Sequence, residues 1–219
     1  MIKNTKEYLL AQRAILKSKD ELNKSIQSDI QSFESKKLKN RKGDWMSTYS
    51  GGMFWLLDPR PEEVEITDVA HALSMLCRYN GHISGFYSVA QHCVLVSEHC
   101  NPKFALYGLL HDTAEAYTGD IISPLKKLLP NYKVIENKIL KAICSKYGVR
   151  LTQQCKQEVK HWDNVLLATE VRDLIPHKYL NWKMEAEPLE SSVHPLWTPE
   201  VAEQRFLARF NKLYATEQN

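Results

Sequence analysis

The chain reads LLHDTAE at residues 109–115 and TGD at residues 118–120. Because FALYGLL (residues 104–110) has the apolar spacing of a helix, we predict that LLHDTAE is the C-terminal half of that helix. Glu115 would then lie one turn beyond His111, on the same face. Burying these polar groups beside leucines is unfavourable unless something compensates their polarity, and a divalent cation would do so. Taken alone, the His-Asp pair is more often a surface feature or a hydrogen-bonded core pair.

Two further apolar segments contain ligand-type residues. His92 lies in SVAQHCVLV (residues 88–96), where Ser88 and Gln91 have the spacing of a capping box at the start of a helix. Asp163 lies in HWDNVLLA (residues 161–168), which predicts a third apolar helix. We expect the three helices to direct their polar side chains towards one point.

The ordered set of these residues resembles a known family. His92, then His111 and Asp112, then Asp163 match the His, His-Asp, Asp ligand order of the HD-domain metal-dependent phosphohydrolases. TGD (residues 118–120) with SPLK (residues 123–126) resembles the bacterial 5′-deoxynucleotidase branch. RYNGH (residues 78–82) and YSVAQH (residues 87–92) resemble prophage and phage HD hydrolases of that branch. The resemblance covers roughly residues 48 to 215.

The resemblance implies an all-α fold, an HD-domain helical bundle, and hydrolysis of (deoxy)nucleotide phosphate bonds by a metal-activated water. It implies these roles: metal ligands His92, His111, Asp112 and Asp163; catalytic residues Glu115 and Asp120; and substrate-binding residues Arg78, Tyr79, His82 and Lys126. Ordinary alternatives exist for four of these residues: a solvated Glu115, a helix-capping Asp120, a loop-stabilising His82 and a surface Lys126.

The mixed nitrogen and oxygen ligand set favours Mn²⁺, Co²⁺, Fe²⁺ or Zn²⁺, whereas Ca²⁺ and Mg²⁺ prefer all-oxygen ligands. Mg²⁺ remains an alternative cofactor. Two substrate classes stay open: a 5′-nucleotidase acting on (d)NMP, or a triphosphohydrolase acting on dNTP. Other readings are a phosphodiesterase acting on a cyclic or signalling nucleotide, and a nucleic-acid-binding protein that uses a basic N-terminal arm.

The net charge of +3 is unevenly distributed. Residues 1–43 contain 11 Lys and Arg against 5 Asp and Glu, whereas the remainder contains 18 against 21. The division predicts a basic amphipathic helical extension and linker over residues 1–43 and a catalytic domain over residues 44–215. We prefer a solvated linker to a nucleic-acid contact for the basic run at residues 36–42.

The composition bears on the class of protein and on whether disulfides or membrane segments are expected. Hydrophobic content of 43% and charged content of 25% are ordinary for a globular protein. The five cysteines form no Cys-x-x-Cys pair, so a disulfide framework or zinc knuckle is not expected. Without a signal-type N-terminus or membrane-length apolar run, we expect a cytoplasmic protein that contacts no membrane. A homodimer or higher homo-oligomer is a further expectation from the resemblance.

The segments between the motifs predict mainly helices. An amphipathic helix is expected within residues 4–39, and a small β-hairpin around a Gly-Gly turn at residues 48–57. Further helices are predicted at residues 67–78, 88–99, 132–147 and 152–174, from Pro102 through the His-Asp motif, and from Thr198 onwards. Residues 118–131 are expected to form a loop.

Overall fold

A computed structural model describes residues 17–28, 41–176 and 182–217. The chain divides into two compact units, residues 1–42 and 43–219. In the first unit, residues 17–28 form a helix, which we call α1, and its described side chains are exposed. The rest of the predicted N-terminal helix and most of the basic run at residues 36–42 lie outside the described residues.

The second unit begins with a small hairpin. Strand β1 (Trp45–Ser47) pairs antiparallel with β2 (Met53–Trp55), with Met46 opposite Phe54. The prediction of a hairpin was correct, but its position was wrong at both ends. Thr48 is part of the turn because its amide donates to the Gly52 carbonyl and its hydroxyl accepts from the Gly52 amide. The first strand therefore precedes residue 48.

The remainder of the second unit is mostly helical, which confirms the predicted helical class. Its α-helices are α2 (Ile66–Met75), α3 (Val89–His99), α4 (Ala105–Leu110), α5 (Glu115–Thr118), α6 (Ser123–Lys126), α7 (Pro130–Lys146), α8 (Gln153–Leu174) and α9 (Pro199–Glu217). Short 3-10 turns occur at Pro61–Glu63, Arg78–Gly81 and Pro102–Phe104. In the described part of the chain, no helix has the length and apolarity needed to span a membrane.

Helix α3 lies at the centre of this unit and packs against α2, α4, α8 and α9. Most of its residues are buried, including the polar Gln91, His92 and Ser97. Ser88 caps it by accepting a hydrogen bond from the Gln91 amide, as the sequence predicted. The Gln91 side chain does not close a capping box, because it bonds the backbone of Val193, Pro195 and Trp197 instead.

Several predicted boundaries were wrong. Helix α2 ends at Met75 because the following residues extend, and Cys77 forms an isolated β-bridge with Ser88. The expected loop at residues 118–131 contains α6 and the first turn of α7, which begins at Pro130. Proline is well suited to the first helical turn because it has no amide hydrogen to leave unpaired.

Candidate metal centre

The structure brings together the four side chains predicted as metal ligands. His92 comes from the middle of α3, His111 and Asp112 directly follow α4, and Asp163 comes from α8. His92 Nε2 lies 3.3 Å from an Asp163 oxygen and 3.7 Å from an Asp112 oxygen. His111 Nε2 lies 3.3 Å from the same Asp112 oxygen. The potential ligand atoms of His92, His111 and Asp163 lie within 4.8 Å of one another, which is close enough for one cation to bridge them.

The His-Asp pair does not lie inside a helix, contrary to the prediction. After Leu110 the α-helical hydrogen bonding ends, and backbone amides donate to carbonyls three residues earlier. The Thr113 amide donates to the Leu110 carbonyl, and the Glu115 amide donates to the Asp112 carbonyl. The Thr113 hydroxyl also donates to the Leu110 carbonyl. Side-chain bonds to the last carbonyls of α4 therefore accompany the change from α-helical to 3-10-like pairing at this motif.

The hydrogen bonds of both imidazoles leave one nitrogen of each ring directed into the site. His111 Nδ1 is 2.8 Å from the Gly108 carbonyl oxygen, which can only accept a hydrogen bond. His92 Nδ1 is 2.6 Å from Glu170 Oε1. In a neutral ring with Nδ1 protonated, Nε2 carries a lone pair. Both Nε2 atoms are buried and have no hydrogen-bond partner among the described residues, as a cation site requires.

The electrostatics of the site favour a positive charge. Burial and then Arg78 lower the pKa of His92, but Glu170 and Asp163 outweigh them and raise it overall. Burial also lowers the pKa of His111, whereas Asp112 raises it well above the usual value. Despite burial, the pKa values of Asp112 and Asp163 fall well below normal, chiefly because of His111 and His92 respectively. Either protons on the imidazoles or a cation between them would neutralise these carboxylates.

Glu170 is a central residue of the site that the sequence analysis missed. It lies on α8, is fully buried, and accepts hydrogen bonds from His92, Arg78, Tyr79 and Tyr87. Burial raises the pKa of Glu170, but Arg78 and His92 lower it to about 2. The available signal was a charged residue in the apolar run VLLATEV (residues 165–171), seven positions after Asp163 and so on the same helical face.

Glu115 lies beside the cluster at the start of α5, and its side chain is buried. Lys126 Nζ donates to Glu115 Oε1 at 3.0 Å and to Glu136 at 2.9 Å. Glu115 Oε2 is buried without a hydrogen-bond partner in the described part of the chain. Burial, followed by the charges of Asp112 and Asp120, raises the pKa of Glu115 to about 9, against the opposing effect of Lys126.

The remaining predicted site residues differ in burial and in their contacts. Arg78 is buried, donates through Nε and Nη2 to Glu170, and has Nη1 3.7 Å from an Asp112 oxygen. Tyr79 has a left-handed backbone (φ 57°), lies beside the Arg78 guanidinium and donates its hydroxyl to Glu170 at 2.6 Å. Asp120 is half-buried, and its charge acts on both Arg78 and Glu115.

His82 is exposed at the end of the Arg78–Gly81 turn. Within the described ranges, no contact joins its ring to the four central side chains. Lys126 contacts two carboxylates, so the substrate contact expected for it, like the one expected for Tyr79, stays a prediction.

Cys93 adds a thiol to the four predicted ligands. Its sulfur, His111 and Asp112 form a second group of potential ligand atoms within 4.8 Å of one another. Burial raises the pKa of the Cys93 thiol, although His111 opposes this shift. Both ligand groups include His111.

Comparison with known proteins identifies two relatives of the chain. No protein-family model matches the chain. The chain is 42% identical over 172 residues to the uncharacterized protein YfdR of Escherichia coli (strain K12), covering 77% of this chain and 95% of that protein. It is 34% identical over 145 residues to the uncharacterized protein RCAP_rcc00048 of Rhodobacter capsulatus, covering 61% of this chain and 74% of that protein. Neither name states an activity.

Proposed function

The chain belongs to the same family as YfdR and RCAP_rcc00048, and from its buried site we propose that it is an HD-type, divalent-metal-dependent hydrolase of nucleotide phosphate bonds. The observation that carries the proposal is the pair of buried Nε2 atoms, on His92 and His111, that face two carboxylates without hydrogen-bonding them. Hydrophobic cores do not retain such a group unless something compensates its polarity.

The donor set fits a transition metal. Two imidazole nitrogens and the carboxylates of Asp112 and Asp163 suit Mn²⁺, Co²⁺, Fe²⁺ or Zn²⁺, and each imidazole has its second nitrogen fixed by a hydrogen bond. A bound divalent ion would supply Lewis-acid polarisation of a phosphate and a lowered pKa for water.

Glu115 is the residue best placed to accept a proton from the attacking water. Its Oε1 is held by Lys126, while Oε2 is buried and unpaired among the described residues. Burial and the neighbouring carboxylates raise the pKa of Glu115, and a cation bound beside it would counter them by favouring the ionised form, which is the form that accepts a proton as a general base. Asp120, close enough to act on both Glu115 and Arg78, is the candidate to orient the leaving group or a sugar hydroxyl.

The nucleotide substrate is supported by the sequence resemblance in residues 78–92 and 118–126. Arg78 supplies a guanidinium beside Asp112, although two of its nitrogens already bind Glu170. A phosphate contact through Nη1 is the remaining option for direct recognition. Arginine is suited to this role because its charge persists even when it is buried.

Product analysis tests the proposal. Metal-stripped protein is incubated with pooled NMPs, dNMPs and dNTPs, and Mn²⁺, Co²⁺ or Mg²⁺ is added in turn. Orthophosphate released from monophosphates identifies a 5′-nucleotidase, and tripolyphosphate released from dNTPs identifies a triphosphohydrolase. No nucleotide hydrolysis with any metal would contradict the proposal.

A further inference from the structure

We propose that Glu170 is a positioning residue, which fixes the tautomer of His92 and thereby directs the His92 Nε2 lone pair towards the cation. The inference rests on the proposed metal site but concerns a residue outside the predicted ligand and catalytic sets. Glu170 acts through His92 and does not itself line the group of ligand atoms.

The first support is the placement of Glu170 relative to Asp163. The two residues are seven positions apart on α8, about two helical turns, so they project from the same face. His92 lies between them, with Nδ1 2.6 Å from Glu170 and Nε2 3.3 Å from Asp163. One helix therefore places a carboxylate at both edges of the same imidazole ring.

The second support is the set of hydrogen-bond donors that surrounds Glu170. Its Oε2 accepts hydrogen bonds from Arg78 Nε at 3.1 Å, Arg78 Nη2 at 3.0 Å and the Tyr79 hydroxyl at 2.6 Å. Its Oε1 accepts from the Tyr87 hydroxyl at 3.0 Å. These donors stabilise an ionised carboxylate in a fully buried position. An ionised carboxylate can only accept, so the proton between Glu170 and His92 must reside on Nδ1.

The third support is the backbone that brings these donors to Glu170. Tyr79 and Asn80 both have positive φ angles, 57° and 51°, which residues other than glycine rarely adopt. This left-handed turn directly follows Arg78, whose guanidinium binds the same Glu170 oxygen as the Tyr79 hydroxyl. The left-handed turn thus occurs where Arg78 and Tyr79 both donate to one oxygen of Glu170. The other oxygen of Glu170 contacts His92.

The test uses Glu170→Gln, which changes the size of the side chain little. To keep its hydrogen bonds with Arg78 and Tyr79, the glutamine must place its oxygen towards them and its NH2 group towards His92. His92 would then accept at Nδ1 and carry its proton on Nε2, where it blocks the cation. We expect Mn²⁺ affinity of the full-length protein, measured by calorimetry, to fall about 10- to 100-fold.

Tyr87→Phe is the matched control because it removes a different hydrogen bond from the same Glu170 oxygen and leaves the His92 contact. Its Mn²⁺ affinity should remain close to that of the wild type. Circular dichroism and thermal unfolding establish that each variant is folded. An unchanged affinity in Glu170→Gln, or an equal loss in Tyr87→Phe, would overturn the inference.

Nitrogen-15 NMR of the metal-free wild-type protein provides a test that needs no variant. At a pH where His92 is neutral, its proton should be on Nδ1; a proton on Nε2 would refute the role of Glu170. If wild-type protein shows the Nδ1 tautomer but binds no Mn²⁺, Co²⁺ or Zn²⁺, the proposed function fails while the inference about the tautomer stands.

Discussion

Glu115 is buried, accepts a hydrogen bond from the charged Lys126 through one oxygen, and has no partner for the other oxygen among the residues that the structure describes. We predict that Glu115→Gln lowers kcat about 100-fold or more, because the amide cannot accept the proton from water. The Mn²⁺ affinity should change little, because Glu115 is not one of the four predicted ligands. Single-turnover kinetics and calorimetry on the same protein separate these two effects.

Glu136→Gln is the control for that experiment. It removes the other carboxylate bound to Lys126 and leaves the Lys126 contact with Glu115 in place. Its kcat should therefore stay much closer to wild type. A Glu115→Gln protein with undiminished turnover would exclude Glu115 as the general base.

Helix α4 positions the His-Asp pair by packing closely on α3, and Gly108 permits that approach. A Cβ atom at Gly108 would lie 2.9 Å from Cys100 Sγ and 3.1 Å from Ser97 Cα. We predict that Gly108→Ala destabilises the protein by about 1–3 kcal/mol, the usual cost of overpacking. Because the Gly108 carbonyl also accepts from His111, the Mn²⁺ affinity should fall as well.

Urea denaturation measures the first effect of Gly108→Ala, and calorimetry measures the second. Ser145→Ala, at an exposed position of α7, is the control and should change stability by less than about 0.5 kcal/mol. Wild-type stability in Gly108→Ala would show that the contact between α3 and α4 tolerates a methyl group.

Asp173, near the end of α8, accepts hydrogen bonds from the segment that precedes α9. Its Oδ2 accepts from the Ser192 hydroxyl at 2.8 Å and the Val193 amide at 2.9 Å. Despite partial burial, Arg172 and these donors lower the pKa of Asp173 to about 2. Because the pKa is lower in the folded state than the unfolded value of about 3.9, this carboxylate stabilises the fold above about pH 4. That contribution is lost as the pH falls towards 2.

The pH dependence follows from that sign. The difference in free energy of unfolding between wild type and Asp173→Asn should be largest at about pH 6 and smaller at about pH 3. Urea denaturation at the two pH values measures it. A difference that does not vary with pH would show that the Asp173 charge contributes nothing to stability.

The helices could be predicted from the sequence because their apolar periodicity is local. Local signals predict three of the helices: the cap residue Ser88 for α3, Pro199 for α9 and the apolar stripe for α7. The placement of the hairpin depended on which side chain of the Gly-Gly turn bonded across it, and Thr48 does so. Local pattern does not reveal that choice.

The candidate ligands could be singled out by residue type and order, but the supporting network could not. Glu170 is separated by 78 residues from His92 and by 92 from Arg78. Its role depends on how α3, α8 and the turn after α2 meet. Likewise, the contacts of Lys126 with Glu115 and Glu136 depend on tertiary packing, so they could not be predicted from the sequence.

At the scale of the molecule, the site lies within the second compact unit, residues 43–219. The buried core that surrounds it is drawn from residues 54–210 of that unit. We predict that a chain beginning at Gly43 retains Mn²⁺ binding and nucleotide hydrolysis. Loss of hydrolysis in a folded, truncated protein would show that the N-terminal unit contributes to activity.

The same truncation addresses the nucleic-acid-binding alternative. If the basic N-terminal unit bound nucleic acid, the full chain would show affinity that falls steeply with salt, and the truncated chain would lose it. We expect no such difference, because the basic run at residues 36–42 is interpreted as a linker.

A joint titration of metal binding and turnover tests the central proposal most directly. Mn²⁺ is added stepwise to metal-stripped protein, and bound metal and nucleotide phosphate release are measured on the same samples. We predict one catalytic ion per chain, phosphate release that rises in proportion to bound metal, and loss of both in Asp112→Ala. Nucleotide hydrolysis at the full rate in metal-free protein, or in Asp112→Ala, would contradict the proposed metal-dependent mechanism.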